Sequence, residues 1–280
     1  MTSDTEAIPF WKMSGAGNDF IIIDNRDGVM DSRDMPAFSR QVCCRKLSAG
    51  ADGLILIETD PEADFRWRFY NADGGTAEMC GNGARCAARF AYLNGIAGER
   101  MVFITAAGPI QAQVSGSVAR VRMTEPTHLE GEQALALADG ETVAFSFINT
   151  GVPHAVIAVT DIEAVDVVGL GRRIRRHERF APAGTNANFI EPIGDGAVAI
   201  RTYERGVEDE TLACGTGSVA GALVASQRFG LPSPVRMKTR SGVFLVIHFS
   251  KTGGRFTPVY MEGDARIVYT GRLSPESWDY

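Results

Sequence analysis

Short apolar or alternating segments separated by glycine-rich turns make up most of the chain. Their length and their period of two are typical of β-strands, because a strand turns successive side chains to opposite faces of a sheet. We therefore predict strands at 20–24, 54–58, 66–70, 101–105, 111–114, 118–123, 142–148, 155–159, 188–191, 198–203, 235–239 and 243–248.

Helical periodicity is confined to a few segments. The best are 37–46, 84–94, 162–176 and 218–228. The second and the fourth are rich in alanine and other small or apolar residues nearly all round, which is typical of a helix enclosed by a sheet rather than lying on a surface.

The chain contains an internal repeat. Cys80–Gly83 matches Cys214–Gly217, and aligning the two cysteines places 105–108 on 239–242 without a gap. Upstream, 15–21 resembles 184–190. Shared spacing over so many residues predicts two homologous halves, 1–124 and 125–264, with the tail 265–280 available to return to the first half.

The repeat predicts the fold class. We expect an α/β protein of the α+β type with two pseudo-symmetric halves, each a curved, mostly antiparallel sheet wrapped around a central helix. Duplicated halves commonly pack about a pseudo-twofold axis, which would bring Cys80 and Cys214 face to face. The active site is then expected in the cleft between the halves.

The charge and the lengths of the apolar runs argue against some classes of function. The 280 residues include 28 basic and 34 acidic ones, for a net charge of −6, with no basic run long enough to follow a phosphate backbone. Nucleic acid is therefore not an expected partner. The apolar runs are too short to span a membrane, and the N-terminal segment has no export signal, so we expect a cytoplasmic protein.

The five cysteines have no zinc-binding spacing, so we expect no metal. Because the number of cysteines is odd and the chain is expected to be cytosolic, we expect the thiols to be reduced. We interpret Cys43, Cys44 and Cys86 as packing residues. A disulfide between the two repeated cysteines, Cys80 and Cys214, is an alternative that fits an oxidised form better than a working one.

A cysteine at a helix N-terminus lies where unpaired N–H groups and the helix dipole favour the thiolate and bind anions. Two such helix ends could hold a substrate carboxylate and present one sulfur to each face of its α-carbon. One thiolate would remove the α-proton while the opposite thiol returns a proton to the other face. This two-base arrangement predicts an amino-acid racemase or epimerase that needs no cofactor.

The chain resembles the diaminopimelate epimerase family, whose members interconvert LL- and meso-diaminopimelate for lysine and peptidoglycan synthesis. The resemblance covers nearly the whole chain and rests on several motifs in a fixed order. They are Lys12–Phe20, Gly50–Gly53, Tyr70–Gly74, Cys80–Cys86, Gly184–Asn186, Tyr203–Gly206 and Cys214–Gly217.

The resemblance implies a role for each motif residue. It makes Cys80 and Cys214 the acid–base pair, and it leaves open which of them is the thiolate toward the L-centre. Glu204 and His154 would adjust the thiols, and Glu204 would also accept hydrogen bonds from the substrate ammonium. The remaining substrate-binding residues implied are Asn18, Asn71, Gly81, Asn82, Asn186, Arg205, Gly215 and Thr216. Partners implied are the small-molecule substrate and, as one possible assembly, a homodimer.

Three positions depart from the family pattern. Val152 stands where many members have Asn, Gly53 stands where some have Gln, and the stretch 207–210 is one residue longer than the commonest spacing. These departures concern recognition of the distal end of the substrate rather than the chemistry.

Two alternatives remain open at this point. One is another cofactor-independent racemase of similar fold, such as a proline or hydroxyproline racemase, although Arg205 and the asparagines favour a substrate with a distal charged centre. The other is a non-catalytic ligand-binding or redox-sensing protein that uses Cys80 and Cys214 as a switchable disulfide. The glycines at both helix starts favour the enzyme.

Overall fold

The computed structural model describes residues 7–76 and 78–280. The chain divides into two compact units. One consists of the residues up to Val121 together with Gly263–Tyr280, and the other is Arg122–Glu262. Within the described residues, no helix is long and apolar enough to cross a membrane.

Seventeen strands and four α-helices, numbered in chain order, account for most of the described residues. The strands are β1 (Ile8–Gly15), β2 (Asn18–Asp24), β3 (Gly53–Glu58), β4 (Phe65–Asn71), β5 (Arg100–Thr105), β6 (Gly108–Ser115), β7 (Val118–Arg122), β8 (Thr127–Ala136), β9 (Thr142–Asn149), β10 (Pro153–Ala158), β11 (Asn186–Gly194), β12 (Ala197–Glu204), β13 (Asp209–Thr211), β14 (Val235–Lys238), β15 (Phe244–Thr252), β16 (Arg255–Asp264) and β17 (Arg266–Leu273). The helices are α1 (Met35–Val42), α2 (Gly81–Leu93), α3 (Val167–Arg175) and α4 (Gly215–Phe229).

The first unit orders its strands as β17–β1–β2–β3–β4–β5–β6–β7. Two neighbouring pairs, β2–β3 and β4–β5, are parallel, and the others are antiparallel. Helix α2 is buried over its first eight residues, Gly81–Ala88. Helix α1 instead packs Phe38 and Val42 into a second cluster with Ile21 and Leu54.

The second unit repeats that order with the same strand senses. Its sequence of neighbours is β8–β9–β10–β11–β12–β14–β15–β16, with β10–β11 and β12–β14 parallel. Helix α4 follows β12, with only the short β13 between them, much as α2 follows β4, and it is buried from Gly217 to Ser226. The predicted mixed α+β class, mostly antiparallel and duplicated, is confirmed.

Three details of the element prediction were wrong. The helix predicted at 37–46 ends at Val42. The helix predicted at 162–176 begins only at Val167, because Asp166 caps it by accepting the Gly169 amide proton and the preceding residues form turns. The prediction also missed β1, β8, β13, β16 and β17. Strands β8 and β17 are mostly exposed, so they lack the regular apolar alternation on which the prediction depended.

Candidate functional site

Cys80 is the N-cap residue of α2. Its backbone is extended (φ −141°, ψ 115°), and its half-buried sulfur accepts the Gly83 amide proton at 3.5 Å. The thiol also donates to Asn18 Oδ1 at 3.6 Å. The backbone N–H groups of Gly81 and Asn82 occupy the first positions of α2, where a helix offers no acceptor of its own. They can therefore bind an anion beside the sulfur.

A buried arginine, not singled out by sequence reasoning, lies behind this helix start. Arg85 is fully buried, and its guanidinium donates to Asn82 Oδ1 at 3.0 Å, to the Gly81 carbonyl at 3.3 Å and to the Asp264 carbonyl at 3.3 Å. Burial lowers its pKa from the ordinary value. Only its place one turn after Cys80 could have indicated this role, because burial cannot be seen in the sequence.

Asn18 belongs to a charged cluster at the start of β2. Its Nδ2 donates to Asp52 Oδ2 at 2.6 Å, which leaves Oδ1 directed to the Cys80 thiol. Asp19, next in the chain, pairs with Lys12 at 2.8 Å and with Arg45 at 2.5 Å. Burial alone would raise the pKa of Asp19, but these two cations hold it below its usual value. The cluster fixes the orientation of Asn18.

Asn71 ends β4 with its side chain exposed. Its backbone amide donates to the Gly75 carbonyl at 2.8 Å, and its own carbonyl accepts from the Gly74 amide and the Ser39 hydroxyl. The tight turn 71–75 thus holds the backbone and leaves the amide side chain available to a ligand.

In the second unit, Cys214 is the N-cap residue of α4. Its backbone is again extended (φ −109°, ψ 114°), but no side-chain capping bond forms, and Sγ lies 3.6 Å from Thr216 Oγ1. Gly215 and Thr216 provide the first amides of α4, and Thr150 Oγ1 fixes the Thr216 carbonyl at 3.0 Å. Cys214 as a whole is 7% exposed.

Glu204 ends β12 and is hydrogen-bonded to the Cys214 thiol. Its Oε2 also accepts from Thr211 Oγ1 on the adjacent β13, at 3.0 Å. Burial raises the pKa of Glu204 above its ordinary value, although both hydrogen bonds oppose the rise. A carboxyl group with an elevated pKa in contact with a thiol can exchange a proton with it.

His154, at the start of β10, is completely buried. Its Nδ1 lies 3.0 Å from Asn188 Nδ2, and its Nε2 is buried without a hydrogen-bond partner among the described residues. Burial lowers the pKa of His154 to about 3, the Asn188 contact opposes this, and the Arg205 charge adds to it. His154 is therefore neutral near pH 7.

Asn186 is buried and bonds to the backbone through both ends of its amide. Nδ2 donates to the Pro153 carbonyl at 3.1 Å, and Oδ1 accepts the Arg205 amide proton at 2.8 Å. It therefore ties the start of β10 to the loop after β12. This leaves one Nδ2 proton for a ligand.

Arg205 is half-buried, and its guanidinium donates to the Ala183 carbonyl at 3.2 Å. In the part of the chain that the structure describes, no carboxylate lies within ion-pair distance of it. Nearby Arg175 and Arg201, by contrast, are paired with Glu208 and Glu210 at 2.9 and 2.7 Å. The Arg205 fork can therefore accept an external carboxylate.

The comparisons with known proteins decide the family. The sequence model for diaminopimelate epimerase matches residues 10–129 and 146–268. A diaminopimelate epimerase of Aquifex aeolicus is 48% identical over 283 residues, covering 97% of this chain and 99% of the relative. The chain belongs to the diaminopimelate epimerase family. It is thus an enzyme of the isomerase class, as predicted.

More distant relatives extend the comparison. A diaminopimelate epimerase of Archaeoglobus fulgidus is 40% identical, covering 95% of this chain and 96% of the relative. Among solved structures, a Bacillus anthracis phenazine biosynthesis protein of the PhzF family has a TM-score of 0.73 at 12% identity, covering 95% of this chain and 99% of that one. A hydroxyproline epimerase of Agrobacterium vitis has a TM-score of 0.68 at 16% identity, covering 96% and 92%. At these identities the solved structures share the fold.

Two departures from the diaminopimelate epimerase pattern have a structural explanation. A Cβ atom at Gly53 would collide with the Phe69 ring and would lie 2.8 Å from the Tyr70 carbonyl oxygen, so this chain has no room for a side chain there. In the longer stretch 207–210, Glu208 adopts a left-handed conformation (φ 61°) and accepts the Gly206 amide proton at 3.1 Å. The structure gives no comparable account of Val152.

The other three cysteines of the chain differ in how deeply they are buried. Cys43 and Cys86 are buried, and burial raises their pKa values to about 11 and about 12, so both stay protonated as packing thiols. Cys44 is only half-buried, so its interpretation as a core residue was wrong. None of the five cysteines is in a disulfide.

The other three histidines have partners of their own. His128 is exposed, and its Nδ1 lies 3.0 Å from Thr127 Oγ1. His177 caps a short 3₁₀ helix, and His248 lies 3.2 Å from Glu262. In the described parts of the chain, no group of three or more potential metal-ligating side chains occurs.

Proposed function

We propose that this enzyme is a diaminopimelate epimerase that inverts the α-carbon of LL-diaminopimelate to give the meso isomer, in lysine and peptidoglycan precursor synthesis. One observation carries the proposal. In a chain of this family, both topological repeats place a cysteine at the N-cap of the equivalent helix, and each cysteine adjoins two backbone amides without intrahelical acceptors.

The proposed chemistry uses the two thiols as acid and base. In one direction one cysteine thiolate takes the α-proton, and the other cysteine thiol gives a proton to the opposite face, so that the charges of the two sulfurs are exchanged. Electron density that develops on the reacting carboxylate is stabilised by the amides of Gly81–Asn82 and Gly215–Thr216. The reaction as written consumes no cofactor.

The environments of the two thiols differ, which supports a distinct way of charging each of them. Cys214 touches the half-buried Glu204 carboxyl group, whereas Cys80 touches the amide oxygen of Asn18. In the proposed cycle Glu204 takes the Cys214 proton when that sulfur must act as a base. Cys80 relies on the α2 helix end and its Gly83 hydrogen bond.

Recognition of a diacid is supported by Arg205. Its guanidinium has no carboxylate partner among the described residues, which suits a bidentate bond to the distal substrate carboxylate. Asn71 and the remaining proton of Asn186 would then bind the distal amino-acid centre. A proline-type substrate would leave this cation without its anion.

The test measures exchange of the α-proton with solvent deuterium, together with epimerisation, under reducing conditions. We expect exchange and turnover with LL-diaminopimelate and none with L-proline or L-lysine. Both activities should be lost in Cys80→Ala and in Cys214→Ala, while Cys44→Ala, which removes a half-buried thiol of the first unit, should be unaffected.

Normal turnover in either Cys80→Ala or Cys214→Ala would contradict the two-base mechanism. Turnover of L-proline in preference to LL-diaminopimelate would contradict the substrate. A cytoplasmic location and a homodimeric assembly belong to the same proposal, and fractionation of cells and sedimentation of the purified enzyme would test them.

A further inference from the structure

An ordered chain of buried hydrogen bonds surrounds Asn188 in the second unit. Asn188, His154 and Thr202 are 0%, 0% and 3% exposed. Asn188 Nδ2 lies 3.0 Å from both His154 Nδ1 and the Ala155 carbonyl, and Asn188 Oδ1 accepts from Thr202 Oγ1 at 3.0 Å.

The Ala155 carbonyl determines which end of the Asn188 amide faces His154. A carbonyl oxygen only accepts hydrogen bonds, so the amide atom beside it must be the nitrogen. That nitrogen has two protons, one for Ala155 and one for His154 Nδ1. His154 Nδ1 must then be the acceptor, and the single proton of the neutral ring is on Nε2.

His154 Nε2 is buried and has no partner among the described residues. Leaving a buried donor unsatisfied costs about 1–3 kcal/mol, so such a group calls for an acceptor that binds there. The positive charge of Arg205 also acts electrostatically on the His154 imidazole. A hydrogen-bond donor, His154 Nε2–H, together with the Arg205 cation favours an anionic acceptor.

The same network adjoins the candidate acid–base residue Cys214. A Cβ atom added at Gly217, in the first turn of α4, would collide with Asn188 Oδ1 and would lie 3.2 Å from Cys214 Sγ. Asn188 Oδ1 and Cys214 Sγ therefore both lie close to Gly217. The network lies beside the thiol and not in a remote part of the core.

We propose that Asn188 is a positioning residue that holds His154 as its neutral Nε2–H tautomer and so presents Nε2–H as a hydrogen-bond donor to a carboxylate oxygen of the bound amino acid. The identity of that ligand rests on the proposed function, whereas the tautomer does not. In this arrangement His154 does not act as a base toward a thiol, because Nδ1 is occupied and Nε2 already has a proton.

The first measurement is the tautomer of His154 in the ligand-free, full-length enzyme labelled with ¹⁵N-histidine. Ring-nitrogen correlations distinguish a protonated Nε2 from a protonated Nδ1, and the His154→Gln spectrum assigns the signals among the four histidines. We expect a neutral ring with protonated Nε2 from pH 5 to pH 8. A protonated Nδ1, or a titration near pH 6.5, would overturn the proposal whether or not the enzyme epimerises diaminopimelate.

The second measurement adds meso-diaminopimelate at saturation to the same labelled enzyme. Formation of the proposed bond should move the His154 Nε2–H proton signal downfield. An unchanged signal, with binding confirmed by calorimetry, would overturn the donor role. If meso-diaminopimelate does not bind at all, the proposed function fails, and the tautomer result is unaffected.

Two variants separate positioning from folding. In Asn188→Asp, a carboxylate of the same shape accepts from Nδ1, so the ring proton should move to Nδ1 and kcat/KM should fall about 10- to 100-fold, as expected for loss of a hydrogen bond to a charged group. Thr202→Val removes a neighbour but leaves the Ala155 carbonyl in place, so it should keep the Nε2–H tautomer. An Asn188→Asp enzyme that retains that tautomer would contradict the proposal.

Discussion

Two glutamates four residues apart illustrate how local environment decides the behaviour of a side chain. Burial raises the pKa of Glu204, whereas the Gly206 amide and then Arg175 hold the pKa of Glu208 below its ordinary value. Folding therefore makes Glu204 a weaker acid and Glu208 a stronger acid than each is in the unfolded chain. The two residues should affect the pH dependence of stability with opposite signs.

Replacement of Glu204 should separate stability from activity. Because the folded state raises its pKa, ionised Glu204 costs stability at pH 7, and Glu204→Gln should increase the free energy of unfolding there. That gain should disappear as the pH falls below the ordinary value of 4.5. Urea titrations at several pH values measure it, while kcat should fall about 100-fold or more if the carboxyl group exchanges a proton with Cys214.

Glu208→Gln is the matched control. Ionised Glu208 stabilises the fold above pH 4.5, so this variant should lose stability at pH 7 and match the parent in acid. Its kcat should be close to that of the parent, since its partners are Arg175, Tyr203 and Gly206. If both variants shift stability in the same direction, the assignment of the two environments is wrong.

Gly53 is a residue whose identity is determined by space. Because a Cβ atom would collide with Phe69, we expect Gly53→Ala to lower the free energy of unfolding by about 1–3 kcal/mol, the usual cost of overpacking. Gly131 has no atom within 4 Å of its Cβ position and no positive φ, so Gly131→Ala should stay within about 0.5 kcal/mol of the parent. Thermal unfolding of both variants compares them directly.

At the scale of the element, α2 and α4 begin after the same Cys-Gly-x-Gly pattern, but their first turns are supported by different residues. The first turn of α2 rests on the Arg85 guanidinium, which binds Gly81 and Asn82. The first turn of α4 rests on Thr150, which binds the Thr216 carbonyl. The duplicated helix start has thus kept its cysteine and amides, while the group that holds it in place has diverged.

Loss of Arg85 should disrupt the start of α2. Arg85→Ala leaves two buried oxygens and one part-buried oxygen without their donor, so the free energy of unfolding should fall by about 3 kcal/mol or more. Exposed Arg100 on β5 serves as the control, because Arg100→Ala should change stability by less than about 0.5 kcal/mol. Denaturant midpoints measure both, and equal losses would contradict the supporting role of Arg85.

Sequence reasoning identified the residues that occur in both repeats. It missed the residues whose role depends on which atoms surround them in the folded protein. The cysteines and glycines at the two helix starts could be identified because they occur twice at one spacing, and the predicted family followed from motifs in fixed order. Arg85, Asn188 and Thr211 are single residues whose importance depends on which atoms surround them. Six of the eight residues of β17 are exposed. The strand was missed because its sequence therefore lacks the regular alternation of apolar and polar residues by which strands are predicted.

At the scale of the whole molecule, the two units have the same order of eight strands. They differ in which segments of the chain provide those strands. The second unit is one continuous segment, whereas the first borrows β17 from the C-terminal region to pair with β1. Ile8 lies opposite Leu273 in that pair, and Leu273 belongs to the core cluster with Phe10 and Phe38. The first unit is therefore incomplete without the last part of the chain.

A chain that ends at Asp264 should lose the stability of its first unit selectively. Without β17, the outer edge of β1 has no partner and the cluster around Phe10 is opened, so hydrogen exchange of the β1 amides should accelerate by orders of magnitude. Amides of β11 in the second unit should keep their protection. A chain ending at Trp278 keeps β17 and is the control; unchanged exchange in β1 of the shorter chain would contradict this dependence.

The borrowed strand has a consequence for the order of events during translation. A ribosome delivers residues from the N-terminus onward, and domains generally fold as their residues emerge. Here the segment made first has to wait for β17, while Arg122–Glu262 has its whole sequence outside the ribosome earlier. The unit that is synthesised second is the first that can be completed, and the exposed edge of β1 must be kept from wrong partners until the last strand arrives.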